Sequence, residues 1–390
     1  MRAILWVIGV LAVLVALLLT AAALRPVEVS KVVWPLVESM ALDEFVGVTA
    51  DGVVEADLFA IAPTGVSTEP VRLAAEALLT ELTPEQREQV LFPVDDDEWR
   101  RWANIHISTR QGVGFAEMNE AQVAAVWNLL AAGMSAKGVT LARDITRLEE
   151  HLAELMDDHY QYGEHRYWIT IMGEPSSTEP WGWQFEGHHL IVNYFVLGDQ
   201  VVMTPTFMGS EPVRADSGKY QGTEVLQAEE ALGLALIRGL TPDQQAQAII
   251  ASDKPGNNNY GELLSDNVVV PLQGLPLAAL EDEQRRLAEQ LIRIYVDNLR
   301  PGHADVRMTE VLAHWDRTRF AWVGGTDDVA PFYYRIQSPV IMIEFDHQSP
   351  IALEGPDVPS RRHIHSVVRT PNGNDYGKDL LRQHLLTQPH

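Results

Sequence analysis

The sequence contains no cysteine. Disulfides, thiol catalysis and every thiolate metal site are thereby excluded, which leaves imidazole and carboxylate as the strong metal ligands. Basic residues are also scarce: 29 Lys and Arg stand against 54 Asp and Glu, a formal net charge of −25. The chain therefore has no basic footprint for nucleic acid, and its acids are dispersed, the longest acidic run being Asp95 to Glu98. Also missing are a G-x-S-x-G elbow, a P-loop, a dinucleotide glycine fingerprint and an H-E-x-x-H helix. What remains, 390 residues at 46% hydrophobic content, is enough for one large domain or two ordinary ones.

One uncharged apolar run, Ala3 to Leu24, matches the length of a secretory signal or of one membrane span. Ala21, Ala22 and Ala23 offer a small-residue cleavage site, whereas the uninterrupted length favours an uncleaved anchor. Residues 1–24 are thus expected to be a signal peptide or membrane anchor of an exported protein, which touches the membrane through this segment only. Residues 25–65, with Pro26, Pro35, Gly52 and Pro63, read as a connector holding one or two short strands. Residues 66–390 read as a single domain.

Four segments share a pattern: "LTPEQREQV" from Leu82, "MNEAQVAAV" from Met118, "LTPDQQAQA" from Leu240 and "LEDEQRRLA" from Leu280. The first three place Thr or Asn at a helix cap with Gln three residues on, a capping box; the fourth has the weaker cap Glu281. Their unequal separations argue against a solenoid. Further helices are expected from Pro70, Ala142 and Thr223. Strand-like runs follow at 167–174, 188–209, 319–326, 332–346 and 364–370, with a tight hairpin at Gly198 and Asp199. The order predicts an α+β fold, a mainly antiparallel sheet with helices grouped in two blocks.

Three apolar strands end in titratable groups. "FEGHHLIVNYFV" carries Glu186, His188 and His189. On an extended strand Glu186 and His188 share one face, and His189 and Asn193 the other. "VIMIEFDHQS" carries Glu344, Asp346 and His347, and "RRHIHSVVRT" carries His363 and His365, an H-x-H pair whose imidazoles lie on one strand face and can chelate one ion. Each cluster alone also reads as a solvated strand end or a hydrogen-bonded polar pair. Together they suggest a site with His363, His365 and His188 or His189 as ligands, Glu344 or Glu186 as carboxylate ligand, and a divalent transition metal: Zn, Mn, Fe or Cu. The spare carboxylate, Glu186, would act as base on a metal-bound water. Trp183 would wall a small-molecule substrate pocket, Asn374 and Asp375 in the turn "TPNGNDYGKD" would orient the ligand, and Arg335 and Arg369 would meet either acids or an anionic ligand.

The blocks "PWGWQFEGHHLIVNYFV", "TPTFMGSEPV", "YYRIQSPVIMIEFD" and "HIHSVVRTPNGNDYGKDLLRQH" resemble the bacterial family DUF 3500, from about residue 70 to the C-terminus. The resemblance implies no activity. It does imply that the Glu-Gly-His-His and His-Ile-His blocks belong to one domain. Two functional readings follow from the residues: an exported metal-dependent hydrolase, or a non-catalytic envelope protein that binds a small molecule or partner through a satisfied polar network.

Overall fold

All four Gln-bearing segments start helices. The computed structural model describes residues 42–387, with Trp34, Val37 and Glu38 ahead of them; the apolar run 1–24 lies outside the described residues. The helices are α1 (Glu69–Glu81), α2 (Pro84–Val90), α3 (Glu120–Gly133), α4 (Ala136–Met156), α5 (Gln227–Gly239), α6 (Pro242–Ala248), α7 (Asp282–Val296), α8 (His303–Ala313) and α9 (Lys378–Thr387). Thr83 and Thr241 accept the N–H of Gln86 and Gln244 at 3.2 and 3.3 Å, and each glutamine accepts the cap residue's own N–H in return. Two otherwise orphaned donors are satisfied at each end. Asn119 and Gln122 do the same, and the Glu281 N–H reaches Gln284 at 2.9 Å.

Two helices differ from expectation. α4 begins six residues before Ala142, because Ser135 accepts the Gly138 N–H at 3.0 Å and supplies a better cap. α5 begins only at Gln227: the segment up to Val225 is tied to the chain at 213–215, Val225 N–H donating to Val213, and Leu226 then turns with φ 61°. Among the described residues of the connector, 42–65, no strand forms; Thr49 makes one isolated bridge to Val269. No described helix is long and apolar enough to cross a membrane.

The strands are β1 (Leu91–Phe92), β2 (Val113–Gly114), β3 (Tyr167–Met172), β4 (Trp181–Gly187), β5 (Leu190–Leu197), β6 (Gln200–Val202), β7 (Thr206–Ser210), β8 (Ile249–Ala251), β9 (Leu275–Pro276), β10 (Arg319–Gly324), β11 (Phe332–Gln337), β12 (Met342–His347) and β13 (Ile364–Arg369). They form one sheet in the order β1-β3-β4-β5-β7-β13-β12-β11-β10-β8, with β2 on β3, β6 on β5 and β9 on β10. Among the described strands only β1–β3 and β8–β10 pair in parallel, so the fold is the expected mainly antiparallel α+β.

That order reads the same from either end. β1, β2, β3, β4, β5 and β7 correspond to β8, β9, β10, β11, β12 and β13, and the antiparallel pair β7–β13 joins the halves. The four Gln segments are therefore two pairs of equivalents, not a linear repeat. In each half the two capping glutamines bond to one another, Gln122 to Gln86 at 2.7 Å and Gln284 to Gln244 at 2.8 Å. In each half a stacked aromatic pair fills the same core position: Trp183 on Tyr194 at 4.9 Å, and Tyr334 on Phe345 at 5.0 Å.

Strand alternation splits the sheet into two chemically different faces. One packs Trp183, Phe185, Val192, Tyr194, Tyr334, Ile343 and Phe345 against the helices and forms the main core. The other carries Gln184, Glu186, Asn193, Arg335, Glu344, Asp346, His365 and Arg369, all buried under the long loops that follow β1 and β8. Buried polar groups persist only when partnered, so this second face is where chemistry can be held.

Candidate metal centre

His188 and His189 are the two-residue tip of the β4–β5 hairpin, between the paired Gly187 and Leu190. Strand alternation therefore does not govern them. Glu186 pairs with Ile191 and shares its face with Asn193, a correction to the alternation expected from the sequence. His189 takes a left-handed backbone, φ 61°, which needs external fixing in a bulky residue. Gly209 N–H donates to the His189 carbonyl at 2.8 Å, and Tyr167 O–H to that of His188 at 3.1 Å.

Gly209 is also the cross-strand partner of His365. A Cβ there would come within 2.7 Å of the Ile364 carbonyl and 3.0 Å of the His365 ring, so only glycine lets the tip, β7 and β13 close together. The result brings three imidazoles from distant segments to one point. His363 Nε2 lies 2.9 Å from His365 Nε2 and 3.3 Å from His189 Nε2. These atoms lie within 4.8 Å of one another, and a cation at nitrogen distances of about 2.0–2.1 Å fits between them.

The outer nitrogens show which way the lone pairs point. His363 Nδ1 donates to the Ser349 carbonyl at 2.8 Å, which fixes its proton on Nδ1 and leaves Nε2 free. His365 Nδ1 is held by Glu262 at 2.8 Å. Burial pushes His188, His189 and His363 well below the ordinary histidine range, so protons do not compete for their nitrogens near neutrality. Burial works against charge on Glu262 too, but His365, Asn259 and Asn104 outweigh it and hold that carboxyl below its usual range. Glu149, reaching in from α4, goes the other way: burial raises it despite His189. It meets His188 Nδ1 at 2.7 Å. His106, only partly buried, and Tyr162 stand beside the His188 ring at 5.4 and 5.8 Å.

Of the predicted ligands, His189, His363 and His365 converge, and His188 stacks on His189 at 3.7 Å with Glu149 as its partner. Glu344 is not brought to them. Its oxygens accept from Tyr260 and Gly261 N–H and from Tyr333 O–H, and the acid anchors the loop after β8. Asp346 is likewise tied to Lys254 at 2.6 Å. Glu186 faces Arg110 at 3.4 Å; burial, opposed by Arg110, pushes its carboxyl up to about 7.

The expected substrate groups are placed elsewhere. Trp183 lies in the helix-side core, stacked on Tyr194. Arg335 binds the Tyr333 hydroxyl and the Pro271 carbonyl, and Arg369 pairs with Asp266 at 2.7 Å and Asp375 at 3.2 Å, so both arginines and Asp375 are occupied by structure. Asn374 borders a cavity of about 310 Å³ that opens on the helix side of the sheet, away from the imidazoles.

Three acids around the cluster were not anticipated. Glu149 falls on the apolar stripe Ile145, Leu148, Leu152 of α4, a signal present in the sequence: an acid on the buried side of a helix. Glu262 and Glu211 come from loops, where no periodicity marks a buried acid; Glu211 Oε2 lies 3.6 Å from His363 Nδ1.

A family model described as "Protein of unknown function (DUF3500)" matches residues 64–378. No curated protein and no solved structure matches the chain.

Proposed function

The chain belongs to the DUF3500 family, and from that premise we propose that it is a metal-dependent hydrolase acting on a small molecule outside the cytoplasm, tethered or exported through residues 1–24. The observation that supports this reading is the convergence of three Nε2 atoms, two of which belong to rings, His363 and His365, whose outer nitrogens are held by a carbonyl and a carboxylate. Three imidazoles are the ligand set of an open catalytic site, in which a fourth position takes water and the ion lowers its pKa toward neutrality. Zn, Mn, Fe and Cu all accept such ligands. Glu186, on the same sheet face and with a carboxyl near 7, is assigned as the proton acceptor, a value suited to a general base.

The test is elemental analysis of the untagged full-length chain, with turnover measured on ester, amide and phosphoester substrates. Bound metal that is lost in His363→Ala/His365→Ala, together with metal-dependent turnover lost in Glu186→Gln at unchanged metal content, supports the proposal. Metal-free protein that chelators neither destabilise nor inactivate overturns it. The cavity beside Asn374, lined by Leu58, Met208, Leu226 and Val368 among others, favours the second reading, a non-catalytic protein that binds an apolar small molecule. Saturable binding of such a molecule to metal-free, inactive protein would select it.

A further inference from the structure

The three imidazoles of the cluster are not equivalent. His363 and His365 have their outer nitrogens in hydrogen bonds of 2.8 Å, to Ser349 and Glu262. His189 does not. Among the described residues its Nδ1 is buried with no hydrogen-bond partner; the nearest carboxylate oxygen, Glu149 Oε2, stands at 3.6 Å. That is too long for a hydrogen bond, yet it is the separation of two ligands on one ion, because ligand distances near 2.0–2.2 Å around a tetrahedral ion put neighbouring ligand atoms about 3.3–3.6 Å apart.

A third group stands in the same place. Glu149, His188 and His189, all buried, each offer a ligand atom within 4.8 Å of the others. Glu149 meets His188 Nδ1 at 2.7 Å and faces His189 through Nδ1, whereas His363 faces His189 through Nε2. His189 is only 2% exposed, so no bulk water compensates its bare nitrogen. The Glu149 carboxylate is sunk in the same place, held by His188 Nδ1 at 2.7 Å, with Arg110 and Arg166 acting on it only through space. A unit or double positive charge here would satisfy both groups at once.

We propose that the site holds two ions: one on His189 Nε2, His363 and His365, the other on His189 Nδ1, His188 and Glu149, with the His189 ring bridging them. This rests on the three-histidine reading above and extends it. As the second ion binds, the His189 ring gives up its remaining N–H proton to solvent and becomes an imidazolate, ligated at both nitrogens, and the proton that His188 Nδ1 shares with Glu149 is released with it. Two ions bridged by an imidazole stand about 6 Å apart, from the ring width plus two metal–nitrogen bonds. Hydrolytic pairs that clamp one oxygen lie at about 3.5–4 Å. The second ion therefore tunes or exchanges charge with the first through the ring and does not share its water.

The test loads the untagged full-length chain in detergent with Cu(II), counts ions by elemental analysis and records electron paramagnetic resonance. Two ions per chain are expected, with the low-temperature signal diminished by exchange coupling through the bridge. His188→Phe should bind one ion and recover a full mononuclear signal, and Glu149→Gln should weaken the second ion at least tenfold while keeping the first. A wild-type chain that takes a single ion, lost in His363→Ala, overturns the two-ion proposal and leaves the three-histidine reading intact. Two ions with undiminished signal overturn the bridge, and no bound ion in folded wild-type protein overturns both.

Discussion

The two halves of this sheet are built alike and equipped differently. Strand order, glutamine pairs and stacked aromatics recur across the β7–β13 junction, but the hairpin tips do not. In the first half the tip is His188-His189, two residues long. In the second it is Ser338-Pro339-Val340-Ile341, between the paired Gln337 and Met342, with Val340 in an apolar cluster. The registers also place Val201 and Met203, ahead of β7, where the second half has His363 and His365. Among the described residues a scaffold that occurs twice thus carries one candidate centre, assembled from the tip of one half and the leading end of the last strand of the other. The lesson is that the repeated residues hold the fold and the unrepeated ones hold the chemistry.

The largest effects should be those that treat the halves equally. Trp183→Ala and Tyr334→Ala each remove one member of a buried stacked pair, and each should cost about 3–5 kcal/mol or prevent folding. Denaturant titration of both variants checks this, and a difference of more than about 2 kcal/mol would break the equivalence of the halves.

Metal should separate them. Zn at about a hundred times its Kd should stabilise the wild type by about 2.7 kcal/mol. His363→Ala should abolish that increment, while Val201→Ala, at the corresponding position of the other half, should keep it whole. Thermal melts with and without Zn read the result. One step further out, Glu262→Gln removes the acid that holds His365 Nδ1 and should cost about 10–100-fold in Zn affinity. Glu344→Gln, which loosens a loop anchor, should lower stability and leave Zn affinity unchanged. Competition with a chromogenic chelator distinguishes the two.

Acid should act on the metal-free centre in a known direction. His188, His189 and His363 are lowered by burial, so below about pH 6.5 the unfolded chain binds more protons than the folded one, and stability falls as pH drops. Glu186 and Asp346, raised by burial to about 7, act in the opposite sense and stabilise the fold at low pH, an effect lost as pH rises toward 7. The difference between wild type and His363→Leu isolates one imidazole: the variant's acid limb should be shallower by up to about 1.4 kcal/mol per pH unit between pH 6 and 5. Equal limbs would mean that His363 is not held neutral by the fold.

Much of this was legible in the chain. The capping boxes, the Gly198-Asp199 hairpin and the H-x-H pair are local chemistry, and local chemistry can be read from neighbours in sequence. The converging histidines also follow from their place at strand ends. The roles of Glu344 and Glu149 were hidden for opposite reasons. Glu344 stands in a strand that suggests a site, but a loop some eighty residues away in sequence supplies the N–H groups that occupy it. Glu149 stands in an ordinary amphipathic helix, and only tertiary packing turns its stripe toward the tip. The duplication was obscured because its two glutamine pairs follow one another with a long stretch between them and shorter spacers within each, so that a search for one short constant period misses a fold that repeats by pairing.

The smallest effects are the sharpest check of that duplication. Thr83 and Thr241 cap equivalent helices with the same reciprocal bonds to Gln86 and Gln244. Replacing either with alanine removes one acceptor for an end N–H and should cost about 1 kcal/mol. The sites are remote from one another, so the double variant should lose the sum of the two within about 0.5 kcal/mol. Because each cap's glutamine also bonds to the glutamine of the neighbouring helix, Thr83→Ala should perturb the Gln122 amide signal and leave Gln284 unmoved, and Thr241→Ala should do the reverse. Cross-talk between the two in an NMR spectrum would mean that the halves form one cooperative helical layer, with the duplication a matter of topology alone.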